Sequence, residues 1–255
     1  MSTIDERRER ASAGVALGRD PDAWEDGFAR PRVFLQPIAA PSVLGLFGFA
    51  GATFIVASNL AGWWGSDTSP LYLAPFAATF GGVAQFIAGM WAYRARDAVA
   101  TAMHGMWGAF WIAYGILNVL LATKTLPAPT PAYHFPELGF WFFALGAVTA
   151  SGFLGALAEG NFAVGAVLGT LAAGSGIAAG GLIYGSHGWT QTAGWVFVIS
   201  AALAWYTATA MMLKAAAGRT VLPMFKRQRE ANVPGATSTR PIQLEWAEPG
   251  IKMGQ

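Results

Sequence analysis

No Asp, Glu, Lys or Arg lies in the middle of any long apolar run of this sequence, which leaves three histidines and a handful of neutral polar side chains to weigh for chemistry. His104, in "TAMHGMWGAFW", is the ionisable residue at membrane depth, and Gln85, Thr53, Ser58, Asn59, Asn118, Thr170 and Ser175 are the neutral donors and acceptors. Most hydroxyls and amides in such a setting bond back to helix carbonyls or bridge helices. Gln85, flanked by "FGGVA" and "FIAGMW", lies too far from a span end for its amide to reach water. It either knits helices together or lines a wet path. His104 has the same two readings, a partly solvated structural residue near Arg96 or a group facing a pathway. His134 and His187 fall in links on the other side, so the three imidazoles do not meet at one depth and a metal or haem cage is not expected. There is no cysteine, no nucleotide-binding loop, no nucleophile elbow and no pair of carboxylates. An enzyme, a cofactor and a nucleic-acid partner are therefore not expected.

The elements that carry these residues follow from composition. Of 255 residues, 54% are hydrophobic and only 12% are charged, against about a quarter charged in a soluble domain. The charges are segregated as well: none lies between Arg32 and Asp67, or between Asp67 and Arg94. Runs of that length cross a hydrocarbon core of about 30 Å as helices. Six spans are predicted, near 42–63, 72–93, 98–122, 138–158, 161–184 and 191–215, which makes the chain an all-α integral membrane protein. Residues 1–37 read as a flexible cytoplasmic tail, 38–217 as the membrane domain and 218–255 as a second cytoplasmic tail. No secretory signal of the usual kind precedes the first span.

Lys and Arg set the orientation. Arg7, Arg8, Arg10, Arg19, Arg30, Arg32, Arg94, Arg96 and Lys214 fall on one side and only Lys124 on the other, so both termini are expected in the cytoplasm of a cell-membrane protein. The fifth span, "GAVLGTLAAGSGIAAGG", is dense in glycine and alanine, which predicts close helix packing or a narrow pore wall. In "APSVLGLFGFAGAT", Gly45, Gly48 and Gly51 recur every three residues behind Pro41, a slowly winding strip of small residues on the first span.

Four stretches taken together resemble the acetate uptake transporter family, the succinate-acetate permease type, related to yeast acetate and ammonia transport proteins. They are "APSVLGLFGFAGAT", "FGGVAQFIAGMWAYR", "GMWGAFW" and "AGRTVLP", in order over Pro41 to Pro223. The resemblance implies six helices per protomer, a homo-hexamer and a path through each protomer with a hydrophobic constriction. By position that constriction takes Phe49 and Trp107, with a third residue near Leu168 to Leu171. Against the family pattern, Ala40 replaces asparagine, Val43 a proline, Ala52 a threonine, Ala92 an acidic residue, Met211 a late glutamate and Trp107 a tyrosine. These changes remove polar groups from the expected path.

The expected function is a channel or transporter for acetate and similar small monocarboxylates, with succinate as a further acid, either passive or coupled to protons. No Lys or Arg is available at midspan to neutralise an anion, so helix N-termini and neutral donors such as Thr53 and Gln85 hold it, or the acid crosses protonated. The expected pathway set is Phe49, Trp107, Thr53, Gln85, His104, Leu168, Thr170 and Leu171. Ammonia or another small neutral solute is the alternative within transport, and a non-transporting scaffold or sensor the alternative outside it.

Overall fold

The computed structural model of the chain describes residues 38–227, so the expected N-terminal tail and the stretch "NVPGATSTRP" lie outside the described residues. Six helices in that range are long and apolar enough to cross a membrane. We number them α1 (Pro41–Leu60), α2 (Ser69–Ala95), α3 (Ala98–Ala122), α4 (Pro136–Ala158), α5 (Phe162–Tyr184) and α6 (His187–Ala217). The sequence expectation of an all-helical membrane protein holds, with boundaries moved by a few residues. The largest shift is at α6, where Ser186 caps the helix by accepting from the Trp189 N–H at 3.4 Å. His187, expected in a link, is thus the first residue of a helix.

Local chemistry explains the other ends. Pro41 and Pro136 occupy first turns, where a missing N–H leaves no bond unmade. Asp97 caps α3 by accepting from Ala100 N–H at 2.8 Å, and Asn161 caps α5 by accepting from Val164 N–H at 3.4 Å. Glycines in the left-handed region, Gly185 and Gly218, close α5 and α6.

One feature of α2 had a sequence signal that periodicity does not read. Ala77–Ala84 is wound as a π-helix between two α-helical stretches, just after Pro75. Proline removes one ladder bond, and the adjacent glycines Gly81 and Gly82 tolerate the wider turn. The π segment packs on α1 so closely that a Cβ at Gly48 would collide with the Phe80 carbonyl oxygen. That contact accounts for one of the regularly spaced glycines of α1.

The helices are arranged as a ring in chain order. Each packs on its sequence neighbours, and α6 closes the ring against α1. The core runs along the inside, through Leu46, Phe49, Trp107, Leu145, Leu168, Leu171 and Phe197. Arg94, Arg96, Asp97, Glu159 and Lys214 lie at the end where α1, α3 and α5 begin, which we call the basic end. Glycines of α5 are used for packing inside the bundle: a Cβ at Gly174 would come within 2.7 Å of the Phe197 ring, and one at Gly181 within 2.8 Å of Thr190.

Gly218–Arg227, expected to begin a polar tail, instead folds back under the basic end. Phe162 N–H donates to the Phe225 carbonyl at 2.9 Å and Arg227 N–H to the Gly160 carbonyl at 2.8 Å. Asn161 and Lys226 face each other as an antiparallel bridge.

Candidate functional site

Phe49 of α1 and Trp107 of α3 are almost fully buried, at 2% and 3% exposure, in the middle of the ring. Their rings meet edge to face, 6.1 Å between centroids and 74° between planes. Trp107 is held from behind: its indole N–H donates to Thr149 Oγ1 at 2.9 Å, and that hydroxyl donates to the Leu145 carbonyl at 2.6 Å. Aromatic contacts continue round the interior, Trp107 to Phe110 at 5.4 Å, Phe110 to Phe142 at 5.3 Å and Phe142 to Phe197 at 5.8 Å. Four helices, α1, α3, α4 and α6, contribute to this collar.

Beside it lies a cavity of about 40 Å³, lined by residues that include Thr53, Trp107, Trp111, Leu171 and Phe197. Space of that size holds a few waters at most. Its walls are apolar except at two points. Thr53 Oγ1 and Trp111 Nε1 are both buried and make no hydrogen bond within the protein. Leaving such groups unpaired inside the protein is costly.

The remaining neutral polar residues separate on the same criterion. Ser58 Oγ donates to the Ile55 carbonyl at 3.0 Å and accepts from the Trp64 indole at 2.9 Å. Asn59 donates to the Trp64 carbonyl at 2.8 Å, Asn118 to the Tyr114 carbonyl at 2.8 Å and Ser175 to the Leu171 carbonyl at 2.8 Å. These are structural bonds. Thr170 belongs with them, since its hydroxyl donates to the Ala166 carbonyl at 2.8 Å and the side chain does not line the cavity. Of the two leucines considered for the fifth helix, Leu171 lines the cavity, whereas Leu168 is buried in the core without lining it.

Gln85 and His104 are buried but lie apart from the cavity lining. The imidazole rests on α1 where Gly45 lacks a side chain, close enough that a Cβ there would sit 2.5 Å from ring atoms. Gln85 begins the α-helical stretch after the π segment. Gln85 Oε1 and His104 Nδ1 also make no hydrogen bond within the protein. Among the described residues no group of His, Asp and Glu is placed to hold a metal.

Trp111 and Thr149 were not singled out from sequence. Trp111 is the final residue of "GMWGAFW", and its ring lies within 2.6 Å of where a Gly81 Cβ would be. Ala52, which replaces the family threonine, joins Trp111 and Ala77 in a small apolar cluster.

Comparison with known proteins agrees with this architecture. A succinate-acetate/proton symporter, SatP, of Escherichia coli (strain K12) is 29% identical over 187 residues, covering 73% of this chain and 95% of the relative. An uncharacterized protein of Methanothermobacter thermautotrophicus is 28% identical over 194 residues, covering 75% and 93%. The solved structure of the bacterial acetate channel SatP superposes with a TM-score of 0.67 at 26% identity, covering 74% of this chain and 99% of that one. Residues 29–226 match the profile of the GPR1/FUN34/yaaH family, and this multi-pass cell-membrane protein belongs to that family.

Proposed function

We propose that the chain moves acetate and similar small monocarboxylates through the interior of the helix ring, with Phe49 and Trp107 as the constriction and Leu171 as the third wall. The observation that carries this reading is the pair of buried, unbonded groups, Thr53 Oγ1 and Trp111 Nε1, on one apolar cavity beside that constriction. A monocarboxylic acid has a methyl-like end for the aromatic collar and one polar head for the two donors. The names of the SatP relatives support the same substrate class. Transport rather than catalysis is the reading that these relatives and the site share.

The spans carry no Lys or Arg near their middles, so an anion crossing the collar would meet no compensating cation. The protonated acid avoids that cost, although at neutral pH the anion outnumbers it by roughly several hundred-fold. Flux as acid, or acid equivalents, makes transport proton-coupled in effect. Gln85 and His104, buried at the contact of α1, α2 and α3, form a second polar station on this reading. The excess of Lys and Arg at the basic end supports a cytoplasmic location for it and for both termini. We carry the homo-hexamer as part of the reading, with native mass spectrometry as its check.

The test is labelled flux into proteoliposomes at clamped pH, with acetate, succinate and ammonium compared side by side. Acetate flux that rises as pH falls, and that drops in Trp111→Phe, is expected. Ammonium flux without acetate flux would transfer the site to a small neutral solute. No flux of any solute with correctly assembled protein would sink the transport reading.

A further inference from the structure

The stretch "AGRTVLP" and the residues after it are bound to the basic end by specific attachments. Gly218 turns the chain out of α6 with φ 65°. Thr220 is buried, the Tyr206 hydroxyl donates to the Pro223 carbonyl at 2.8 Å, and Met224 joins the interior cluster. Phe225, at φ 47°, sets its ring 6.0 Å from that of Tyr206 with the planes tilted by 44°. A left-handed backbone at a bulky residue is strained, and here the two flanking bonds to Gly160 and Phe162 hold it in place. The next residue, Lys226, is half-buried with its Nζ shielded from water, and it feels charges from three other elements: Lys214 of α6, Asp97 at the start of α3 and Glu159 at the end of α4.

The strap therefore begins at α6, bonds to the α4–α5 link and brings its lysine within electrostatic reach of the start of α3. It lies at the same end of the ring through which any solute passing Phe49 and Trp107 must go. Met211 lies on the same interior cluster as Met224, so the strap adds apolar cover to a stretch of path where the sequence already has no acid.

We propose that Thr220–Arg227 is a gate at the basic end of the path: seated on the α4–α5 link it closes the ring interior with Met224, and lifted from that link it opens it. This rests on the transport reading. The attachments suit a movable part. Its attachments include two backbone bonds to the α4–α5 link and one tyrosine bond, and a buried ammonium sits at its tip, where lifting returns it to water.

A disulfide across the bridge tests this directly. Asn161 and Lys226 occupy a pair flanked by the two backbone bonds, a geometry that places Cα atoms about 4.5 Å apart and within disulfide range. The native sequence has no cysteine, so Asn161→Cys with Lys226→Cys makes one defined cross-link. In proteoliposomes, acetate flux through the reduced double variant is expected to match that of the single variants. Oxidation should lower it by roughly tenfold or more, and reductant should restore it. Equal flux in the oxidised and reduced forms, with cross-linking verified by mass spectrometry, overturns the gate. No flux in wild type overturns the transport reading and the gate with it. As a milder arm, Tyr206→Phe removes one anchor and should raise flux roughly 2- to 10-fold, the equivalent of one net hydrogen bond. Unchanged flux there counts against the strap as a barrier.

Discussion

The Trp107 indole N–H is bonded to the Thr149 hydroxyl at 2.9 Å across the α3–α4 contact, and this bond fixes the ring that stands edge-on to Phe49. Thr149 is fully buried, so the donor has no water to turn to if the acceptor is lost. Thr149→Val keeps the shape and removes the acceptor. It should cost about 1–3 kcal/mol of stability, and the freed ring should blunt discrimination between acetate and larger acids. Thermal unfolding in detergent, together with the ratio of acetate to succinate flux, checks both parts. Unchanged values for both would show that the bond does not hold the collar.

Phe49→Ala removes one side of the collar. A buried phenylalanine truncated to alanine costs about 3–5 kcal/mol, so assembly must be verified before flux is compared. In assembled protein the wider opening should raise succinate flux more than acetate flux. Selectivity equal to that of wild type would remove Phe49 from the constriction.

Gly45→Ala sets two terms of opposite sign against each other. Alanine gains roughly 1 kcal/mol of helix propensity over glycine. Its Cβ would stand 2.5 Å from the His104 ring, and overpacking of that kind costs about 1–3 kcal/mol. The ring is wedged between α1 and its own helix, so the steric term should win and the melting temperature should fall. His104→Ala in the same background should recover part of the loss, as residues in direct contact couple. A fall that His104→Ala leaves untouched would place the clash elsewhere.

Alkaline pH should tighten the strap. Burial pushes Lys226 down to about 8, and Lys214 pushes the same way, while Asp97 and Glu159 oppose the shift. A solvated lysine titrates near 10.4, so lifting the strap takes up a proton between about pH 8 and 10.4. Below pH 8 the lysine is charged in both states and the seat gains nothing from pH. Above it, the seated amine no longer bears the cost of a buried charge, so the gate closes further. Tracer flux at equal pH on both sides, compared at pH 7 and 9.5, should fall in wild type relative to Lys226→Met, which has no such proton to lose. A constant ratio between the two proteins would show that Lys226 does not govern the seat.

The six spans, the uneven distribution of Lys and Arg and the small-residue strip on α1 are determined by the sequence itself. Crossing a membrane demands length and apolarity, and both are written linearly. The motif positions of Phe49 and Trp107 were likewise legible. The face that each helix turns inward was not, because these helices are apolar around most of their circumference and carry little periodic signal. That choice was made by ring closure, α6 against α1. Ser58, Asn118, Thr170 and Ser175 needed no such closure, since each bonds to a carbonyl three or four residues earlier on its own helix. Closure left Thr53 and Trp111 unbonded on a common cavity. Composition could suggest only a polar tail after Gly218, since two backbone bonds to a distant link have no local signature. Tertiary structure decides such pairings because a hydrogen bond depends on which groups meet in space, and in an all-apolar bundle only packing settles that.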